Sequence, residues 1–340
     1  MKRTEISTLG EFGLIDRIAK NNVQRQASTI KSIGDDAAVI DNSDAMTVIS
    51  TDLLMEGIHF DLAYTPLRHL GYKAVVVNLS DIYAMNAIPK QITVSIGISN
   101  RISLEAIDEL YEGIYQACKF YNVDLVGGDT TSSMSGLAIS VTAIGQAQKD
   151  KIVYRNGAKV GDLICVSGDL GAAYLGLQIL IREKQIWQEH PDIQPEFDNS
   201  TYLIEKILKP EARRDMIEVF ANAGLVPTSM MDISDGLASE LYHICTQSGV
   251  GAFVEEMGVP MHADAKMMAI QFNLDPITCA LSGGEDYELL FTVSPSDLEK
   301  VKYFPDTYII GEITDKADGI KLHTEGGNIH PITAQGWVHF

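Results

Sequence analysis

The chain lacks paired cysteines. Its four, Cys118, Cys165, Cys245 and Cys279, stand far apart in sequence, which excludes a zinc ribbon and C-x-x-C redox chemistry and reads as core thiols in a reducing cytoplasm. Basic residues are scarce: 26 Lys and Arg face 46 Asp and Glu, a net charge of -20. Such a balance repels nucleic acid and anionic membrane at long range, so neither is an expected partner. A phosphate-bearing substrate would need intervening cations. No run approaches the roughly 20 apolar residues that span a bilayer, and the charged opening MKRTEISTLGEFGLIDRIAK has no apolar stretch of signal-peptide length. A cytoplasmic location is the expectation. Familiar nucleotide signatures are also missing, with no G-x-x-x-x-G-K-[ST] loop, no G-x-G-x-x-G after a strand and no H-R-D or D-F-G set. If ATP is used, another device holds it.

What is present is a globular composition, 46% hydrophobic and 21% charged over 340 residues, long enough for two domains. Met46 to Thr51, Gln91 to Ile98, Gly136 to Ile144 and Leu163 to Ser167 read as strands, and the apolar run from Tyr72 to Leu79 as another strand-like segment leading into Ser80-Asp81. Leu104, Ile107, Tyr111, Ile114, Cys118 and Tyr121 recur at helical spacing, and Ala172 to Arg182 reads as a second helix. Glu183 to Thr201, polar and carrying Pro191 and Pro195, reads as an exposed loop. The polar, glycine-bearing stretch Asn156 to Asp162 is the candidate boundary between domains spanning 1–150 and 151–340. Strands and helices without a regular βαβ rhythm predict two α+β domains. Leu79-Ser80-Asp81-Ile82 echoes Ile233-Ser234-Asp235-Gly236, each read as the start of a helix.

Five motifs set a carboxylate beside glycine or hydroxyl: Gly34-Asp35-Asp36, Ser50-Thr51-Asp52, Ser80-Asp81, Gly127-Gly128-Asp129-Thr130-Thr131 and Asp232-Ile233-Ser234-Asp235-Gly236. Magnesium takes hard oxygen ligands and keeps several waters, so single carboxylates from separate segments suffice to hold it. Phosphoryl transfer asks chiefly for positioning and charge neutralisation. Taken singly, each motif has an ordinary structural explanation. Asp81 and Asp235 suit helix N-caps, Asp35, Asp36 and Asp52 suit turns, and Gly168-Asp169-Leu170-Gly171 suits a strand-to-helix turn. Arg155 fits a surface ion pair or a phosphate clamp, His59 a structural histidine, and Trp337 a C-terminal anchor or a stacking surface.

In order along the chain, the motifs resemble the thiamine-monophosphate kinase family, whose superfamily includes aminoimidazole ribonucleotide synthetase and selenophosphate synthetase. The resemblance runs through Gly10 to Ile15, Ile33 to Ala38, Ser50-Thr51-Asp52, His59-Phe60, Asn78 to Ala87, Gly127 to Thr131, Arg155 to Lys159, Met231 to Leu237 and Ser282 to Leu289. It implies transfer of the ATP γ-phosphate to the phosphate of thiamine monophosphate, the last step of thiamine diphosphate biosynthesis, with several Mg2+ ions. It further implies a homodimer joined through the N-terminal sheets and an active site in the cleft between domains. Carried over residue by residue, the implied metal ligands are Asp35, Ser50, Thr51, Asp52, Asp81, Asp129, Asp232 and Asp235, with Asp52, Asp81 and Asp129 catalytic. The implied ATP contacts are Tyr111, Gly128, Asp129, Arg155 and Ser234, and the implied substrate contacts are His59, Glu285 and Trp337. Tyr115 competes with Tyr111, and Asp286 with Glu285. Asn86 stands where the family usually has glycine and must accept the backbone shape that the glycine served.

Overall fold

In the computed structural model, residues 17–18, 20–31, 39–40, 42, 45–195, 197 and 200–333 are described. The expectations for Asp35 and Trp337, and for the motifs at 10–15 and around 33–38, lie outside the described residues. The chain divides into two compact units, Met1–Lys151 and Ile152–Phe340.

The first unit begins with a short antiparallel ribbon, β1 (Thr29–Lys31) and β2 (Val39–Ile40). Its four-stranded sheet is built from β3 (Met46–Met55), β4 (Ile88–Ile98), β5 (Asp124–Ser132) and β6 (Ala138–Ala147), in the order β3-β6-β4-β5. Only the β4/β5 pair is parallel. Helix α1 (Leu67–Ala84) packs on one face of this sheet, and α2 (Leu104–Tyr121) packs against α1. The segment Tyr72–Leu79 is therefore helix interior, not strand. Its Val75-Val76-Val77 run favours β structure locally by a few tenths of a kcal/mol per residue. Each of Leu70 to Ser80 is buried, and a helix apolar on all sides is one that the fold encloses. In consequence Asp81 lies three residues before the end of α1 and caps nothing at its start. The helix ends in the left-handed turn of Asn86 at φ 54°, a conformation that asparagine tolerates next best after glycine. Asn86 Nδ2 also donates to the Lys151 carbonyl at 2.8 Å.

The helix pair is close because glycine permits it. A Cβ at Gly71 would lie 1.9 Å from the Leu110 carbonyl oxygen, and one at Gly113 1.9 Å from that of Arg68. Helix α2 matches its predicted span and opens on Ser103, whose Oγ accepts from the Ala106 N–H. Strand β3 runs four residues past its predicted end, which moves Asp52 from a strand terminus to the strand interior.

The second unit holds a seven-stranded sheet in the order β13-β12-β9-β11-β7-β10-β8, antiparallel except between β12 and β9. The strands are β7 (Leu163–Ser167), β8 (Ser229–Asp232), β9 (Gly251–Glu255), β10 (Leu289–Val293), β11 (Thr307–Thr314), β12 (Ile320–His323) and β13 (Ile329–Pro331). Among the described residues seven helices accompany it: α3 (Ala172–Glu189), α4 (Thr201–Leu208), α5 (Arg214–Ala223), α6 (Leu237–Ser248), α7 (Ala263–Gln271), α8 (Pro276–Ser282) and the short α9 (Leu298–Val301). Helix α3 continues seven residues beyond Arg182, so the first part of the expected 183–201 loop is helical. Glu183 at the start of that extension is buried and paired with its neighbour Arg182, Nη2 to carboxylate at 2.8 Å. The echo between residues 79–82 and 233–236 is not structural: the first lies inside α1, whereas the second precedes α6. Gly71→Ala should destabilise the first unit by about 3 kcal/mol through overpacking of α1 against α2, read as a fall in the urea midpoint; an unchanged midpoint would show that the helices are not in contact there.

Candidate active site

Side chains alternate along β3, and cross-strand register decides which neighbours share a face. Asp52 lies opposite Val141, Val141 opposite Val94, and Val94 opposite Gly128. Val94 and Val141 are 2% and 1% exposed, so this row faces α1. There the Asp52 N–H donates to Asn78 Oδ1 at 2.9 Å, and Ser50 Oγ donates to Asp81 Oδ2. Asn78 is itself buried and anchored by Nδ2 to the Ala74 carbonyl at 3.0 Å. Ser50, Asp52, Asn78 and Asp81 thus form one group of oxygen donors between β3 and the last turns of α1.

Thr51 and Asp129 face the other way. Thr51 Oγ1 bonds to the Val141 carbonyl and to Thr142 Oγ1, both at 3.0 Å. Asp129 shares its row with Ser95, Ser140 and Leu53, the last 52% exposed. At ~4.8 Å per strand, β3 and β5 stand about 14 Å apart across the sheet. Within this unit the aspartates of the candidate catalytic set therefore split: Asp52 and Asp81 come together, and Asp129 does not join them. Gly128 is glycine because β4 passes close; a Cβ there would lie 1.8 Å from the Val94 carbonyl oxygen.

His59 follows β3 in a tight turn, where its Nδ1 accepts the Met55 N–H at 3.0 Å. An accepting Nδ1 leaves the ring proton of the neutral imidazole on Nε2. Tyr111 is buried, and burial pushes its phenol well above the ordinary range. Tyr111 and Tyr115 both line a cavity of about 590 Å³ with Arg17, Lys20, Asn21 and Asp108, so both remain candidates for a planar ring. Contact between Gly71 and Leu110 sets Tyr111 about ten residues of α1 from Asp81, roughly 15 Å along the axis.

In the second unit, β8 delivers Asp232 to a loop that reaches α6 through Gly236 at φ 107°. Glu240 Oε1 accepts the Asp235 N–H at 2.9 Å and fixes this loop from beneath. Burial raises the Glu240 pKa to about 7; the Asp235 charge adds to the shift, and Arg155, within electrostatic reach, opposes it. The Glu285 N–H donates to the Ser234 carbonyl at 2.7 Å. Arg155, Asp232, Ser234, Asp235 and Glu285 are therefore gathered around one loop. Asp286 turns inward: its carboxylate accepts the N–H groups of Gly171 at 2.9 Å and Ala173 at 3.4 Å at the start of α3. That arrangement leaves Glu285, half-buried, as the one of the two acids on the loop side.

Asn78, Glu240 and the internal role of Asp286 are absent from the reading of the sequence. A polar residue inside the apolar run Val75-Val76-Val77-Asn78-Leu79 was a signal for the first. The oxygen-only donor sets fit a hard cation such as magnesium. Among the described residues no three His, Cys, Asp or Glu side chains converge on one point.

Residues 34–147 match the family model for AIR synthase related protein, N-terminal domain, and residues 159–322 that for its C-terminal domain. A thiamine-monophosphate kinase of Aquifex aeolicus (strain VF5) is 34% identical over 338 residues, 98% of this chain and 99% of that protein. The solved structure of AaThiL complexed with AMPPCP and TMP has a TM-score of 0.75 at 32% identity, covering 100% of both chains. The thiamine-monophosphate kinase structure from Stenotrophomonas maltophilia K279a has a TM-score of 0.77 at 30% identity, covering 96% of this chain and 98% of that one.

Burial lifts Asp286 from its ordinary pKa of 3.8 to about 8, against the pull of the Gly171 N–H and Lys206. The folded chain then holds a proton that the unfolded chain has lost, so this group makes stability fall as pH rises from about 4 to about 8 and level off above. Urea midpoints between pH 5 and 8 should fall less in Asp286→Asn than in the unsubstituted protein; parallel profiles would contradict the buried position.

Proposed function

This chain belongs to the AIR synthase related family and, within it, to the thiamine-monophosphate kinases, and from that premise we propose that it transfers the γ-phosphate of ATP to thiamine monophosphate, giving thiamine diphosphate and ADP. The observation that carries this reading is identity of 34% with a thiamine-monophosphate kinase along 98% of the chain. The full-length likeness to a structure complexed with AMPPCP and TMP supports it.

The acceptor is a phosphate oxygen, already anionic at neutral pH, so attack needs no strong general base. The chain's own task is to hold two anions in line and to neutralise them. When bound, magnesium would supply that neutralisation. We assign Ser50, Asp52 and Asp81 to one ion, and keep Asp35 and Thr51 among the metal ligands. Asp129, on the opposite face and edge of the sheet, belongs to a different ion from Asp52, consistent with a requirement for several. Asp232 and Asp235 hold metal in the second unit. Tyr111, Gly128, Asp129, Arg155 and Ser234 bind the nucleotide. His59, with its proton on Nε2, Glu285 and Trp337 bind thiamine monophosphate.

The open face of the N-terminal sheet favours a homodimer. Ile49 and Leu53 are 65% and 52% exposed there, and apolar side chains in a row on a sheet face call for a partner. A second copy brings a matching row. No helix among the described residues is long and apolar enough to cross a membrane, and we read the protein as cytoplasmic.

Incubation with ATP, Mg2+ and thiamine monophosphate should yield thiamine diphosphate and ADP in equal amounts, and chelation of the metal should stop both. Asp52→Asn and Asp129→Asn should each lower kcat by about 10²-fold or more while circular dichroism is unchanged. Near-normal turnover in either variant would remove that residue from the catalytic set.

A further inference from the structure

The segment 283–288 carries two acids that face inward and one that does not, and its backbone is held in an unusual shape. Glu285 and Tyr287 have φ of 69° and 53°, the left-handed region that costs a residue with a side chain of this size on the order of 1 kcal/mol or more. Something must hold them there. Backbone pairing is one part: Glu285 N–H to Ser234 O at 2.7 Å, Tyr287 N–H to Ile233 O at 2.9 Å, and Ile233 N–H to Glu288 O at 2.8 Å. Close approach is another, since a Cβ on Gly284 would lie 2.4 Å from the Ser234 carbonyl oxygen.

The side chains of Asp286 and Glu288 supply the rest. Asp286 closes on the α3 N-terminus through the Gly171 and Ala173 amides, where backbone donors are otherwise unsatisfied and the helix dipole favours an acceptor. Glu288 accepts from Ser167 Oγ at 2.8 Å, Lys206 Nζ at 3.0 Å and Arg213 Nη1 at 2.6 Å. Arg213 in turn bonds Asp215 and Asp306. Gly168 exists to admit this carboxylate, because a Cβ there would stand 2.2 Å from it. Buried charges survive only when paired, and here the pairing ties one short segment to β7, α3, α4 and α5.

We propose that Asp286 and Glu288 are positioning residues for the reaction: they lock the segment 283–288 against the α3 N-terminus and the Lys206–Arg213 pair, and so hold Glu285 towards thiamine monophosphate and the Ser234 loop in register beside it. This assignment rests on the proposed role of Glu285 as a substrate contact. Neither acid touches substrate.

The test pairs kinetics with amide hydrogen exchange on the full chain. At about pH 9, where the Asp286 carboxyl is ionised, Asp286→Asn replaces one carboxylate acceptor by an amide donor facing the α3 N–H groups. KM for thiamine monophosphate should rise about tenfold while KM for ATP stays within about twofold. The Ile233, Glu285 and Tyr287 amides should exchange about tenfold faster, with β4 amides unchanged. Glu285→Gln combined with Asp286→Asn should cost less than the product of the single effects, because both act through one contact. Equal rises in the two KM values, additive double-variant effects, or faster exchange spread evenly over the seven-stranded sheet would overturn the proposal. If the unsubstituted chain makes no thiamine diphosphate, the functional reading fails, and the exchange measurement still decides whether Asp286 holds the segment. Should Asp286→Asn not fold, Lys206→Met, which loosens Glu288 from one side only, should give the same separation of KM values at about threefold; its absence would count equally against the proposal.

Discussion

Carboxylates repel one another, and this constraint governs how the chain can build a phosphate-handling site out of acids. Two such charges 4 Å apart cost about 4 kcal/mol at an effective dielectric of 20, and the chain carries 46 acidic residues against 26 basic ones. At Asp81 and Asp286 the fold meets the problem with uncharged partners. Asp81 accepts the Ser50 hydroxyl, and beside it the Asp52 backbone N–H donates to Asn78 Oδ1. Asp286 takes the start of a helix, and Glu288 takes the two cations Lys206 and Arg213. Acids arranged in this way neutralise phosphate only through an intervening cation, which is why the proposed function assigns them to metal.

Much of the architecture was legible where local pattern and burial agree. The 3.6-residue spacing from Leu104 to Tyr121 marks α2, and the uniform apolar run Leu163–Ser167 marks β7, because in both the local preference matches the buried surface. It fails at α1. There Val75, Val76 and Val77 favour a strand, and the enclosing sheet and α2 override them. The tail of α3 was missed for the converse reason: Glu183 and its neighbours look solvated in sequence, yet Glu183 is buried in an ion pair with Arg182. Asn86 was read as needing to accept a glycine-like backbone, and its φ of 54° agrees.

The site was legible as a set of motifs and illegible as an arrangement. Asp52 and Asp129 each announce themselves by their glycine and hydroxyl neighbours, but their placement on opposite faces of one sheet depends on strand order and register, which no local spacing encodes. Glu285 and Asp286 are adjacent acids in sequence. What separates them is the α3 N-terminus, more than a hundred residues earlier in the chain, which captures one and leaves the other at the Ser234 loop. Glu240 was invisible for a similar reason, since its function is to receive a backbone amide across the turn at Gly236.

The central claim is direct phosphoryl transfer between two phosphate groups held by this chain. Its sharpest test is to supply ATP labelled in the γ-phosphate with thiamine monophosphate and magnesium, and to follow the label. The account predicts label in the terminal phosphate of thiamine diphosphate, with none bound to protein at any time during turnover. Label accumulating on the protein, or released only as inorganic phosphate, would contradict it.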